Sequence, residues 1–159
     1  MFITLLCALD AKDRGKKDSE CWPDDTELVA NHVRFFTFCF CSPLLRAQET
    51  LWAAKRIHVR EPVLILPALR EVRGFAPADL LVDEEYMRRE FDSEIQTRIN
   101  EVYRILEEIK KFEGKKEYQG KDILVLLVTH PDFIWHLTSQ DGSVGQLLAP
   151  GEIMVWKEL

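Results

Sequence analysis

The sequence predicts an α/β protein with a mostly parallel central sheet. Three observations carry that reading. Apolar runs of strand length recur at residues 3–9, 35–41, 63–66 and 123–128, with a last one at 152–156. Segments with helical periodicity separate them, and strands alternating with helices build parallel sheets covered by helices. The chain has 159 residues, 47% apolar and 30% charged, a globular composition. A domain of that length buries about 70% of its unfolded surface, so it needs neither disulfide nor metal to fold. No internal repeat or linker interrupts it, and residues 1–159 are expected to form one domain.

Residues 3–9 form a compact apolar run, as in a strand buried on both faces. Residues 10–25 are dense in charge and read as a loop. Its Lys12, Arg14, Lys16 and Lys17 are either a solvated surface or a basic lip that attracts phosphate. Thr26 is placed to cap a short helix that runs to about Arg34. The aromatic and apolar run 35–41 predicts a second buried strand. Ser42 and Pro43 suit an N-cap and a first helical position, with the helix extending to about Ile57. A short strand at 63–66 and a loop at 67–83 follow. Residues 83–112 predict one long helix, with Phe91, Ile95, Ile99, Val102, Leu106 and Ile109 as its apolar stripe and its charges towards solvent. A turn at 114–121 leads into the most apolar strand, 123–128. A helix from Pro131 to about Thr138, a loop at 140–151 and the last strand complete the pattern.

Charge and cysteine usage narrow the function. Lys and Arg total 21 against 27 Asp and Glu, a formal net charge of −6. That argues against a nucleic-acid partner, which calls for a basic face. No apolar run reaches the ~18–20 residues of a membrane span, and the apolar start lacks a basic n-region and a small-residue cleavage site, so an intracellular, cytoplasmic protein is expected. Cys7, Cys21, Cys39 and Cys41 read as reduced thiols. Cys39 and Cys41 share a strand face, and as a metal pair they lack further ligands, so neither a metal nor a cofactor is expected.

In open α/β sheets ligands bind beyond the carboxyl ends of the strands. Three connections qualify: 9–13, 42–46 and 129–132, with 69–74 able to fold over them. At Ser42-Pro43-Leu44-Leu45-Arg46 a strand runs into a helix N-terminus, whose N–H groups attract anions. Arg46 there reads as a bidentate phosphate fork or as a surface arginine. His130 follows the most apolar strand, placed for a ligand or a proton, or else as a satisfied core histidine.

Together these residues raise a resemblance. The segment Ser42-Pro43-Leu44-Leu45-Arg46-Ala47-Gln48-Glu49-Thr50 resembles the S-P-L-x-R-A-x-x-T signature of the histidine phosphatase superfamily, whose fold is phosphoglycerate-mutase-like. Leu69-Arg70-Glu71 resembles the segment that holds that family's acidic proton donor. Leu124 to His130 resembles the strand that ends in its second catalytic histidine. The compact length and the stretches 130–133 and 149–153 are similar to the small SixA-type phosphohistidine phosphatases. The resemblance implies a three-layer α/β sandwich, with Ser42 and Arg46 as phosphate ligands, His130 as a catalytic histidine and Glu71 as an acid.

The first strand departs from the family, which places R-H-G-E at its end. Here Cys7 stands for the arginine, Ala8 for the nucleophilic histidine and Leu9 for the glycine, and Asp10 keeps the acidic character. Loss of a covalent nucleophile costs about 10⁶ in kcat in other nucleophilic enzymes. Cys7 precedes Ala8 on a strand, so its thiol belongs to the opposite face. The expected function is that of a degenerate, catalytically impaired member, which keeps a phosphate-binding half-site or serves as an interaction module. The alternatives are an active phosphatase that uses His130 on phosphohistidine or small phosphate esters, and a purely structural subunit with Trp22, Trp52 or Phe35-Phe36 at an interface. A phosphorylated ligand and an oligomer or protein partner are the expected partners.

Overall fold

The computed structural model describes residues 1–9, 34–54, 56–72, 91–140 and 143–159. The charged loop at 10–25 with its basic lip, residues 26–33 of the helix expected to run to about Arg34, Cys21, Trp22 and Asp10 lie outside the described residues; Arg34 itself is in a strand. So do residues 83–90 of the expected long helix.

The central strand is β6 (Leu124–Thr129), the purest apolar run of the chain. It lies parallel to β1 (Phe2–Cys7) on one side and to β3 (Phe38–Cys41) on the other. The edges are β5 (Leu64–Ile65), parallel to β3, and β7 (Ile153–Glu158), antiparallel to β1. The sheet order is therefore β5-β3-β6-β1-β7, mostly parallel. The turn into β7 depends on Gly151, whose φ of 79° suits a residue without a Cβ. Its N–H bonds the Cys7 carbonyl at 3.0 Å and tethers the end of β1.

The alternation of side chains along each strand divides the core in two. Ile3, Leu5 and Cys7 of β1 and Val125 and Leu127 of β6 pack on α2 (Asp92–Lys110) and α3 (Pro131–Thr138). Leu6, Leu126 and Val128 turn to the other face, with Ala8, Cys39 and Cys41, against Ala47 and Leu51 of α1 (Leu45–Ala53). Helices thus cover both faces of the sheet, the three-layer α/β sandwich expected from the sequence. Cys39 and Cys41 share a face, as the strand period requires. No helix among the described residues is long and apolar enough to cross a membrane.

Several elements differ from their sequence expectation. The run 35–41 is two strands. β2 (Arg34–Phe36) pairs with β4 (Ile57–Val59) in a separate parallel ribbon, and β3 begins after Thr37. Thr37 makes the break: its N–H bonds the Leu124 carbonyl at 2.7 Å, and its Oγ1 accepts the Leu124 N–H at 3.1 Å. Helix α1 is shorter than 43–57. Ser42 does not cap it; Leu44 is the N-cap residue, and the Ser42 Oγ accepts the Leu44 N–H at 3.2 Å, closing a turn ahead of the helix. Ile57 leaves the helix for β4, where a β-branched residue finds ladder partners. In α2 the apolar stripe is buried from Ile95 to Ile109, but Phe91, ahead of the first turn, is 65% exposed. Phe35 and Trp52 are exposed, whereas Phe36 belongs to the second core and is not surface.

Candidate functional site

The carboxyl ends of β1, β3 and β6 lie side by side, because the three strands are parallel and adjacent. Ser42 follows β3, His130 follows β6 and Ala8 follows β1. Arg46 arrives from the first turn of α1. Glu71 comes from the segment after a 3₁₀ turn at Pro67–Leu69. Ser42 and His130 are fully buried, and Arg46 and Glu71 nearly so.

The four polar groups form one connected cluster. Arg46 donates its Nε–H to His130 Nδ1 at 3.0 Å and its Nη2–H to Glu71 Oε2 at 3.3 Å. His130 Nε2 lies 2.8 Å from Ser42 Oγ. A guanidinium can only donate, so Nδ1 must accept and the ring proton must sit on Nε2. His130 is therefore neutral and donates to Ser42. The Ser42 oxygen accepts from both His130 and Leu44, and neither contact uses its own hydroxyl proton.

The electrostatics agree with that arrangement. Burial, reinforced by the cations of Arg46 and Arg98, holds the His130 pKa well below its ordinary 6.5. Burial lifts the Glu71 carboxyl to about 7, against the opposing bond from the Val72 N–H; the nearby Asp132 charge adds to the rise and Arg46 opposes it. Cys7 is pushed up to about 12, first by burial and then by Glu71, so its thiol stays protonated and is no nucleophile. Cys7 lies in the first core and Ala8 in the second, on opposite faces of the sheet.

Three residues not expected at the site hold it in place. Arg98, assigned by the sequence to the solvent face of α2, is buried. Its guanidinium bonds the carbonyls of Ala68, at 3.0 Å, and of Arg70, and lies 4.5 Å over the Phe133 ring. Thr129 Oγ1 donates to the carbonyl between them, Leu69, at 2.6 Å. Successive carbonyls of the turn that presents Glu71 are thus tied to α2 and β6. Thr50 Oγ1 accepts the Leu9 N–H at 3.0 Å and donates to the Arg46 carbonyl at 2.6 Å, which fastens α1 to the end of β1. Spacing could have found Arg98: it stands three residues after Ile95 and four before Val102, on the buried stripe. Thr50 is the threonine of the S-P-L-x-R-A-x-x-T segment.

No family profile and no curated protein matches the sequence. Solved structures do. A protein from Escherichia coli K-12 assigned as an alpha-ribazole-5'-P phosphatase aligns with 96% of this chain and 88% of its own, at a TM-score of 0.64 and 19% identity. Phosphoglycerate mutase from Thermus thermophilus aligns over 98% and 92%, at 0.57 and 18% identity. TTHB049 of the same organism aligns over 96% and 91%, at 0.54 and 20% identity. The chain has the phosphoglycerate-mutase-like fold, the fold of the histidine phosphatase superfamily. That assignment agrees with the resemblance carried by Ser42–Thr50, Glu71 and His130.

Proposed function

We propose that the protein binds a phosphoryl group through Ser42, Arg46 and His130 and is impaired in hydrolysing it. The observation that carries this reading is the hydrogen bonding of His130. Its Nδ1 lone pair is committed to Arg46 and its Nε2 carries a proton, so neither nitrogen offers electrons to phosphorus. Ala8, at the end of β1, has no side chain that could replace it, and the Cys7 thiol is protonated and packed on the other face. Binding is favoured by what remains: a buried guanidinium, and a serine hydroxyl whose own proton is available to an anionic oxygen. The names of the structural neighbours, a phosphatase and a phosphoglycerate mutase, agree with a phosphorylated ligand.

The test is steady-state turnover of p-nitrophenyl phosphate beside the His130→Ala variant. Turnover at background in both is the expected result. Robust turnover that His130→Ala abolishes would overturn the reading and establish an active phosphatase that uses His130.

A further inference from the structure

The cluster holds one acidic group among its donors. Glu71 Oε1 accepts the Val72 N–H at 2.9 Å, while Oε2 faces the Arg46 guanidinium and stands 3.9 Å from His130 Nδ1. An anion that binds Arg46 must therefore share that guanidinium with a carboxylate. We propose that the site selects a phosphoryl group that still carries an acidic proton, either hydrogen phosphate or the monoanion of a phosphate monoester, over sulfate and phosphodiesters, and that Glu71 makes the distinction. This inference rests on the phosphoryl-binding reading above.

The argument is one of hydrogen-bond complementarity in a buried place. Two ionised oxygens side by side there repel, and both compete for the one Arg46 guanidinium. One proton between them turns that repulsion into a charge-assisted hydrogen bond. Hydrogen phosphate brings the proton as P–OH at neutral pH, and a phosphate monoester retains one below its second pKa of about 6. Sulfate and phosphodiesters have none to bring. They bind only when Glu71 itself is protonated, and its pKa of about 7 makes that form scarcer at higher pH. Sites built to hydrogen-bond a ligand O–H reject analogues that lack it far more strongly than sites that merely lose apolar contact.

The titratable and charged groups around Glu71 come from each packed element: Arg46 of α1, His130 and Asp132 at the start of α3 and Cys7 of β1, while Arg98 of α2 holds the carbonyls of the turn and acts on His130. Cys7, at about 12, and His130, well below 6.5, stay neutral from pH 7 to 9. The probes are inorganic phosphate and sulfate, titrated calorimetrically at pH 9 into the wild-type chain and into Glu71→Gln. The wild type is expected to prefer phosphate by about 100-fold there, two pH units above the Glu71 pKa of about 7. Glu71→Gln, with an amide of the same shape, is expected to bind both within a few-fold, with an unchanged far-UV spectrum. The wild type alone supplies a second readout that needs no variant. Its sulfate affinity should weaken about tenfold per pH unit above 7, while the phosphate affinity stays nearly level. Equal binding of sulfate and phosphate by the wild type overturns the inference and leaves the phosphoryl-binding reading intact, as does a preference that survives Glu71→Gln. If neither protein binds either anion, the phosphoryl-binding reading falls and the inference falls with it.

Discussion

Glu71 and His130 sit on either side of one guanidinium, and their proton affinities move in opposite directions. In the folded chain Glu71 keeps its proton to about pH 7, against an ordinary 4.5. Between those values the folded state holds a proton that the unfolded state has lost, so this group makes the fold more stable as pH falls from 7 to 4.5. His130 does the reverse. Below its ordinary 6.5 the unfolded chain takes up a proton that the folded ring refuses, so stability is lost as pH falls. The two slopes oppose each other over pH 4.5–6.5. Urea unfolding across this range should show Glu71→Gln losing stability towards acid more steeply than the wild type, and His130→Gln less steeply. Parallel pH profiles for all three proteins would mean that the two groups are not buried as a pair. Part of this is legible in the sequence: an arginine beside His130 lowers its pKa, and a buried Arg46 calls for a carboxylate, with Asp10 and Glu71 as the candidates. The fold supplies Glu71, and the burial that raises its own pKa is visible only there.

At the scale of elements, the site depends on a turn with few bonds of its own. The Ala68, Leu69 and Arg70 carbonyls accept hydrogen bonds from Arg98, Thr129 and Arg98 again. Arg98→Ala removes two charge-assisted bonds and the cation over Phe133, and leaves buried carbonyls without donors. It should cost about 2–4 kcal/mol, measured as a lower urea midpoint at unchanged m-value. Arg98→Lys should recover only part of that loss, because an ammonium cannot reproduce the planar fork. A second element is fixed by close approach: a Cβ at Gly145 would lie 2.6 Å from the Trp135 carbonyl oxygen and 2.6 Å from its ring Cδ1. Gly145→Ala should therefore destabilise by about 1–3 kcal/mol, since backbone rather than a flexible side-chain tip must yield. The long helix was readable from its spacing because five buried residues, Ile95 to Ile109, repeat at three and four. The extent of α1 was not readable, because Ile57–Val59 continue the apolar character of the helix and instead pair with Arg34–Phe36.

For the whole molecule, the ligand's effect on unfolding reports whether the site is one with the fold. Its polar groups come from the ends of two strands, one helix and a turn, so an anion that bridges them should oppose unfolding of the entire chain. Inorganic phosphate at ~100 Kd stabilises by ~2.7 kcal/mol, or roughly 5–11 °C in Tm for a domain of this size. Arg46→Ala should abolish the shift. A shift that survives the substitution would locate the anion elsewhere, with the basic residues 12–17 as the next place to look. No shift for the wild type at any phosphate concentration would favour the structural-subunit alternative.

What the sequence by itself determined was the alternation. Apolar runs at strand length and apolar stripes at helical spacing recur in an order that fits one sheet with helices on both faces, because local periodicity decides which side of each element meets the core. It also placed Ser42 and His130 directly beyond buried runs, and Arg46 in the helix that follows Ser42. Tertiary structure alone decided the polarity of the site. Three strands brought parallel set His130 between a hydroxyl and a guanidinium, and Arg46, which can only donate, forced the imidazole proton onto the nitrogen that faces Ser42. Hydrogen-bond direction is a property of neighbours in space, and residues 46, 71 and 130 become neighbours only when the sheet forms.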